Sequence, residues 1–345
     1  MGGAAAAAAA QTGRPIRIAF LGGGHGHARA KVRLAKESPD WELVGIYEPD
    51  HTVMTGYERM DVPALSRSQI LEDHSISVIG VEGWVWDLAD YAKAALEAGK
   101  HIHLDKPPAA SMAEMREILG LAARKKLLVQ AGYMWRYNPA VNLAVEAARS
   151  GWLGEVFQVR GFINTTISPA ERKKLARYRG GQMFELGGHL LDPIVRVMGR
   201  PERVTPFLRH DHRELNDGLA DNTMAVLEWD RAIGTVTSAS MHFRDHERGG
   251  NFGAMQYRAL EFIGTRGAAI VQPIEQDPTV RMDLTSAGGP YGAGSQTKSF
   301  SYRRYVDDFA ELAAAVRGEG KLRITPEEDL LVEETLLRAS GMAKV

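Results

Sequence analysis

The sequence contains no cysteine, which excludes disulfides, a thiolate nucleophile, Cys-ligated zinc and iron–sulfur clusters and fits a cytoplasmic protein. It has no stretch of about 20 apolar residues, so no segment reads as a membrane-spanning helix. Neither sign of charge is in excess: 42 Lys and Arg face 43 Asp and Glu, a net charge of −1 with His neutral. That balance gives no general attraction for a polyanion, and neither nucleic acid nor a membrane is an expected partner. No internal repeat is present. What the sequence does have is length and ordinary globular composition: 345 residues, 44% hydrophobic and 25% charged. At about 100–200 residues per domain this points to two cores. Residues 1–14 are alanine-rich and lack the charged start of a secretion signal, and they read as a disordered tail.

From Ile16 the pattern alternates strand and helix. Apolar runs at Ile16 to Leu21, Trp41 to Tyr47, Ser77 to Val81, Ile102 to Leu104 and Leu127 to Ala131 read as strands. Helical segments fall between them at about His27 to Lys36, at Asp87 to Ala98 closed by Gly99, and from a Ser111 cap to about Lys125. Such alternation predicts a doubly wound parallel sheet covered by helices on both faces, over residues 15–136. After Arg136 the character changes. A helix from Asn138 to Ser150 is followed by Glu155 to Ile167, which alternates as an antiparallel strand would, and by five shorter strands ending at Gln272. Two helices, Tyr305 to Arg317 and Pro326 to about Met342, finish a second α/β domain over 137–345 with a mostly antiparallel sheet.

Gly22-Gly23-Gly24-His25-Gly26-His27 stands directly after the first strand and before a helix. Glycines there let the backbone turn tightly and approach a pyrophosphate, whose charge the helix amino terminus stabilises. Gly22, Gly24, His25, Gly26 and His27 are therefore expected to hold a dinucleotide. Glu48, at the end of the second strand, is placed to bind a ribose 2′-hydroxyl, which favours NAD over NADP.

Lys106 sits in Leu104-Asp105-Lys106-Pro107-Pro108, at the carboxyl end of the fourth strand. Open parallel sheets bind ligands at that edge, and the two prolines fix where the lysine points, which is expected to be towards the nicotinamide of a bound dinucleotide. Glu185, His189 and Asp192, spaced four and three within Gly180 to Asp192, share one face of a helix among Met183, Phe184, Leu190 and Leu191. An imidazole, with an unperturbed pKa near about 6.5, takes a hydroxyl proton at neutral pH when a carboxylate orients it. The same three residue types also suit a metal, but no second ligand cluster stands at matching spacing, and none is expected.

Taken together, the glycine-rich strand end, Ala94 to Ile102, Asp105-Lys106-Pro107, Trp135 to Pro139, Gly151 to Val156 and Glu185 to Asp192 resemble the glucose–fructose oxidoreductase / inositol dehydrogenase / MocA-type family, in order and over nearly the whole chain. The resemblance implies a Rossmann domain, then an α/β domain whose large sheet often forms the oligomer contact, hence a homo-oligomer, dimer or tetramer. It implies hydride transfer between NAD(P) and a sugar, polyol or related hydroxyl compound, with Lys106 as the catalytic lysine and His189 as the catalytic histidine. The family also includes NAD-dependent glycosidases that retain their cofactor, and a catalytically silent dinucleotide-binding sensor is a further alternative. Asp105, Glu185, the Gly83 to Leu88 segment and His27 depart from the family pattern.

Tyr133, Arg136, Asp192 and Trp84 are expected to line the substrate cleft. The basic run Glu171 to Lys174 with Arg177 and Arg179 reads as a solvated face. His210-Asp211-His212 and the histidines of His242 to His246 read as surface loops. The glycine-rich Gly288 to Gly294 reads as a connection, since no helix start follows it.

Overall fold

The computed structural model describes residues 13–167, 169–241 and 258–343. The tail up to residue 12 and the histidines of His242 to His246 lie outside the described residues. The chain divides into two compact units: residues through Leu104 with Leu121–Gln130 and Phe309–Leu322, and Asp105–Gly120 with Ala131–Asp308 and residues from Arg323 onward.

The first unit is built from β1 (Ile16–Leu21), α1 (Ala28–Glu37), β2 (Trp41–Tyr47), α2 (His51–Glu58), α3 (Arg67–Glu72), β3 (Val78–Val81), α4 (Val85–Glu97), β4 (His101–Leu104), the end of α5 (Met112–Lys125) and the start of β5 (Val129–Ala131). The sheet order is β2-β1-β3-β4-β5, with β1 parallel to β2 and β3, and β3 parallel to β4. This is the expected parallel Rossmann sheet. Every residue of β3 is buried, as a strand covered on both faces requires. In α4, Val85, Leu88, Ala92, Ala95 and Leu96 are all buried, and Gly99 ends the segment at φ +77°.

The second unit contains α6 (Pro139–Arg149), β6 (Val156–Ile163), β7 (Thr165–Thr166), α7 (Pro169–Leu175), α8 (Gly181–Leu186), α9 (Gly188–Met198), β8 (Arg203–Arg209), β9 (Asn222–Trp229), β10 (Ala232–Met241), β11 (Arg258–Gly264), β12 (Gly267–Val271), β13 (Thr279–Leu284), β14 (Gly294–Ser299), the first residues of α10 (Val306–Val316) and α11 (Pro326–Ala339). Its sheet runs β14-β13-β12-β11-β6-β10-β9-β8. The Gly264 to Gly267 hairpin forms as expected, with Gly264 opposite Gly267. The sheet is mixed at one place: β6 is antiparallel to β11 but parallel to β10. Alternation in β6 records which face is buried, not strand direction, so the sequence alone does not reveal this. Strands β13 and β14 escape the sequence reading because β14, Gly-Ser-Gln-Thr-Lys-Ser, is a polar edge strand with almost every residue exposed.

The face that carries Glu185 and His189 is two helices rather than one. Gly187 ends α8 and begins α9, keeping right-handed helical angles at φ −58° and ψ −31°. The near-helical spacing therefore survives the break.

Candidate active site

In the first unit, β1 ends at Leu21 and Gly22 follows it, with a φ of +81° that suits glycine; a Cβ there would lie 2.5 Å from the backbone of Gly83. The loop is held from three sides. Gly22 N–H donates to Tyr47 O at 2.8 Å. Gly23 N–H donates to Glu48 Oε2 at 2.7 Å, and the Tyr57 hydroxyl donates to Gly23 O at 2.7 Å. The other Glu48 oxygen accepts from Asp50 N at 2.8 Å, so this carboxylate is fixed against the loop. Around Gly26 there is open space, and α1 starts after His27 without a side-chain cap. A tight glycine turn leading to uncapped helix N–H groups fits a dinucleotide pyrophosphate. His25 and His27 meet edge to face at 4.7 Å. Trp84 joins this loop: its indole faces His25 at 5.9 Å, stacks on Trp86 at 5.4 Å, and fills the space a Cβ on Gly24 would need.

Beneath the same loop lies a buried ion pair. Lys31 Nζ reaches Glu82 Oε1 and Oε2 at 2.8 and 3.0 Å, with both side chains fully buried. His103 Nε2 stands 3.7 Å from the same carboxylate, and its Nδ1 is 2.9 Å from Gln130 Oε1.

In the second unit, Lys106 is almost fully buried, and its ammonium donates to Glu185 Oε1 at 2.6 Å and to Glu185 O at 2.9 Å. Glu185 lies near the end of α8, and His189 follows on the first turn of α9, 1% exposed. The His189 ring meets Tyr133 edge to face at 6.1 Å and lies tilted over Trp135 at 5.5 Å. Gly188 makes room for this, since a Cβ there would come within 2.5 Å of the Tyr133 ring.

Asp192, on the same helix face, is engaged by Arg136 rather than open: Arg136 Nε donates to its Oδ1 at 2.8 Å, while its buried Oδ2 has no hydrogen bond and lies 3.7 Å from Arg196. The Arg136 guanidinium also donates to Asp329 Oδ1 at 2.6 Å and sits over Tyr133 at 4.9 Å. Burial raises the Asp329 carboxyl above the usual range despite the adjacent guanidinium. Asp329 and Glu333, one turn apart on α11, were not anticipated from the sequence. Two acids four apart on the face that also buries Val332 and Leu336 were the available signal.

Glu333 is fully buried, and neither carboxyl oxygen has a hydrogen-bond partner among the described residues. Burial first, then the nearby charges of Asp329 and Glu114, push its pKa well above the ordinary value. A group whose folded pKa is raised stabilises the fold below its unfolded pKa of about 4.3, and that contribution is lost as pH rises towards the folded value. Glu333→Gln, which cannot ionise, is therefore expected to gain stability over the parent as pH rises from 5 to 7.5. The check is the difference in Tm across that range; a constant difference would contradict a buried, protonated Glu333.

Arg172, in the basic run, departs from a solvated residue: it is fully buried, bonded to Asp217 at 2.6 Å, Asp221 at 2.8 Å and Ser240 at 3.2 Å. His212 Nδ1 joins Asp221 at 2.7 Å, and His210 Nδ1 lies 2.7 Å from Leu219 O. Burial would raise Asp221, but hydrogen bonds from the Asp211 backbone, Arg172 and His212 bring it down to about 2. Glu171, Lys173, Lys174, Arg177 and Arg179 are exposed as expected.

Residues 16–133 match the family model of the oxidoreductase family with an NAD-binding Rossmann fold, and residues 141–270 match that of the GFO/IDH/MocA C-terminal domain. The chain belongs to the GFO/IDH/MocA oxidoreductase family, with an NAD(P)-binding Rossmann domain. It is 30% identical over 148 residues to the uncharacterized oxidoreductase YhhX of Escherichia coli, a match covering 43% of each chain. It is 23% identical over 344 residues to the dTDP-3,4-didehydro-2,6-dideoxy-alpha-D-glucose 3-reductase of Saccharopolyspora spinosa, covering 96% of this chain and 98% of that one. Among solved structures, KijD10, a 3-ketoreductase from Actinomadura kijaniata in complex with TDP-benzene and NADP, superposes with a TM-score of 0.74 at 17% identity over 94% of this chain and 96% of that one. No described helix is long and apolar enough to cross a membrane.

Proposed function

We propose that this chain is an NAD-linked dehydrogenase or reductase acting on a sugar, polyol or related hydroxyl compound. The observation that carries the reading is the buried Lys106 ammonium fixed by Glu185, with His189 on the following turn of helix. Bound NAD(P) supplies the hydride acceptor in one direction and the donor in the other. The chain's own residues manage the proton. Lys106 and His189 hold the reacting hydroxyl, and one of them, in its neutral form, takes its proton as negative charge builds on oxygen. Glu185 fixes the Lys106 Nζ, and Tyr133 and Trp135 flank the His189 ring. The Arg136–Asp192 pair steadies the same helix face. Sugar-related names among the relatives, including the 3-reductase above, support this substrate class.

Glu48 supports NAD over NADP, because its carboxylate beside the loop would face a 2′-phosphate as a like charge. The expected result is a kcat/KM for NAD well above that for NADP, with the gap narrowed in Glu48→Ala; equal values in the parent enzyme would overturn the selectivity. The class itself is tested by mass spectrometry of the denatured protein for NAD or NADP, then an absorbance screen for NADH over sugars and polyols. Turnover of a chromogenic glycoside without net NADH would replace the dehydrogenase with a cofactor-retaining glycosidase.

The outward face of the large sheet supports a homo-oligomer. Phe207 and Ile233 are 48% and 47% exposed; Met224 pairs with Phe207, and Phe162, Val226, Ile263 and Ile270 lie half-buried on the same face, interleaved with Gln158, Arg160, Glu228 and Glu261. A sheet face that mixes exposed apolar residues with an Arg160–Glu261 ion pair suits packing against a second copy.

A further inference from the structure

The second unit contains a recess of about 500 Å³ with no residue of the Lys106–Glu185–His189 group in its lining. Four aromatic rings, Tyr137, Trp152, Tyr291 and Phe300, form much of its wall. The remaining ionisable lining is balanced, Glu146 and Asp307 against Lys298 and Arg323.

The wall is shaped by the glycine-rich segment between β13 and β14. Gly288 and Tyr291 exchange backbone hydrogen bonds of 2.9 and 3.0 Å, closing a tight turn. Gly288 and Gly289 press against Trp152: a Cβ on Gly289, which has φ +55°, would lie 2.2 Å from the indole. Only glycine lets the turn lie this close, and it brings Tyr291 to 5.8 Å from the Trp152 ring. Both cations lie over aromatic rings. Lys298 lies over Phe300 at 5.0 Å with its Nζ 3.5 Å from the Tyr291 hydroxyl, and Arg323 stacks on Tyr137 at 4.3 Å.

We propose that this recess is a second small-molecule site that takes a neutral, polyhydroxylated ring. Its volume falls in the range of about 300–1,000 Å³ typical of small-molecule pockets. Aromatic faces pack against the C–H faces of a saturated ring. Two acids and two bases, with no net charge, select neither an anion nor a cation, yet they accept from and donate to ring hydroxyls on several sides. A purely apolar ligand would make no use of these polar groups at the rim of the recess. The recess is also tied to the candidate catalytic face through the backbone, because Asn142 Nδ2 and Arg323 donate to Arg136 O at 3.0 and 3.3 Å.

The test measures binding by saturation-transfer NMR on the full chain without dinucleotide, so that turnover plays no part. The probes are D-glucose, D-galactose, D-xylose, myo-inositol and maltose. At least one is expected to bind both the parent and Lys106→Ala with similar affinity. Trp152→Ala, and Tyr291→Ala on its partly exposed turn, are each expected to weaken that binding roughly tenfold. Binding by none of the probes overturns the proposal. So does binding lost in Lys106→Ala but kept in Tyr291→Ala, or a Tyr291→Ala variant whose sedimentation changes while its sugar affinity does not. Because the readout needs no cofactor, its failure is distinct from an absence of NADH formation.

Discussion

Lys106→Ala is expected to lower kcat by roughly 10²–10⁴-fold with little change in dinucleotide affinity, since the expected pyrophosphate and ribose contacts come from the glycine loop and Glu48. The substitution has a second effect that a kinetic assay alone would confuse with the first. The Lys106 ammonium is bonded to a Glu185 whose side chain is 10% exposed, so its loss strands a nearly buried carboxylate. Breaking one side of a buried ion pair costs about 3–5 kcal/mol. Lys106→Ala with Glu185→Gln should recover most of that stability, because the amide needs no counter-charge, while turnover stays low. His189→Ala should reduce kcat over a similar range, and the two losses should not add, because groups acting on one proton fail together. Stopped-flow kinetics with thermal melts on these three variants and on the Lys106→Ala, His189→Ala double variant separate these effects. Near-normal turnover in the Lys106→Ala, Glu185→Gln enzyme would remove Lys106 from the chemistry.

A loss of stability of the same order is expected at Arg136. Its guanidinium is fully buried and neutralises Asp192 and Asp329, themselves 1% and 4% exposed. Arg136→Met keeps much of the volume but leaves two carboxylates facing each other in the interior, and a loss of about 3–5 kcal/mol follows. The deficit should shrink as pH falls. A carboxyl whose folded pKa is raised becomes neutral on acidification and no longer opposes its neighbour, and in the parent burial already raises Asp329. Adding Asp192→Asn and Asp329→Asn should recover most of the stability at pH 7. Urea midpoints of the three proteins at pH 5 and pH 7.5 measure this. A single-variant deficit that does not change with pH would mean that packing, not charge, governs the site.

Some of this was written in local pattern. A strand, a glycine turn and a helix are neighbours along the chain, so their apolar period and turn residues were enough to place β1, the loop and α1 within a residue or two. The Ser111 cap, with Glu114 N–H donating to its Oγ at 3.2 Å, and the Gly264 to Gly267 hairpin are of the same kind. Glu185, His189 and Asp192 fell on one face because helical spacing outlasts the break at Gly187. What each of these groups pairs with was not legible. Lys106 and Glu185 are 79 residues apart, Arg136 and Asp192 are 56 apart, and Arg136 and Asp329 are 193 apart. No periodicity carries information over such distances.

The sequence by itself determined the order of elements, the glycine turn, and which residue types face inward, because turn chemistry and side-chain period act over one turn or one pleat. Only the tertiary structure decided that β6 runs parallel to β10, that a polar segment becomes the edge strand β14, that Asp192 answers to Arg136, and that Glu333 is sealed among like charges. Those outcomes depend on which distant segments share an interior. There, the cost of burying a charge is set by whatever the rest of the fold brings beside it.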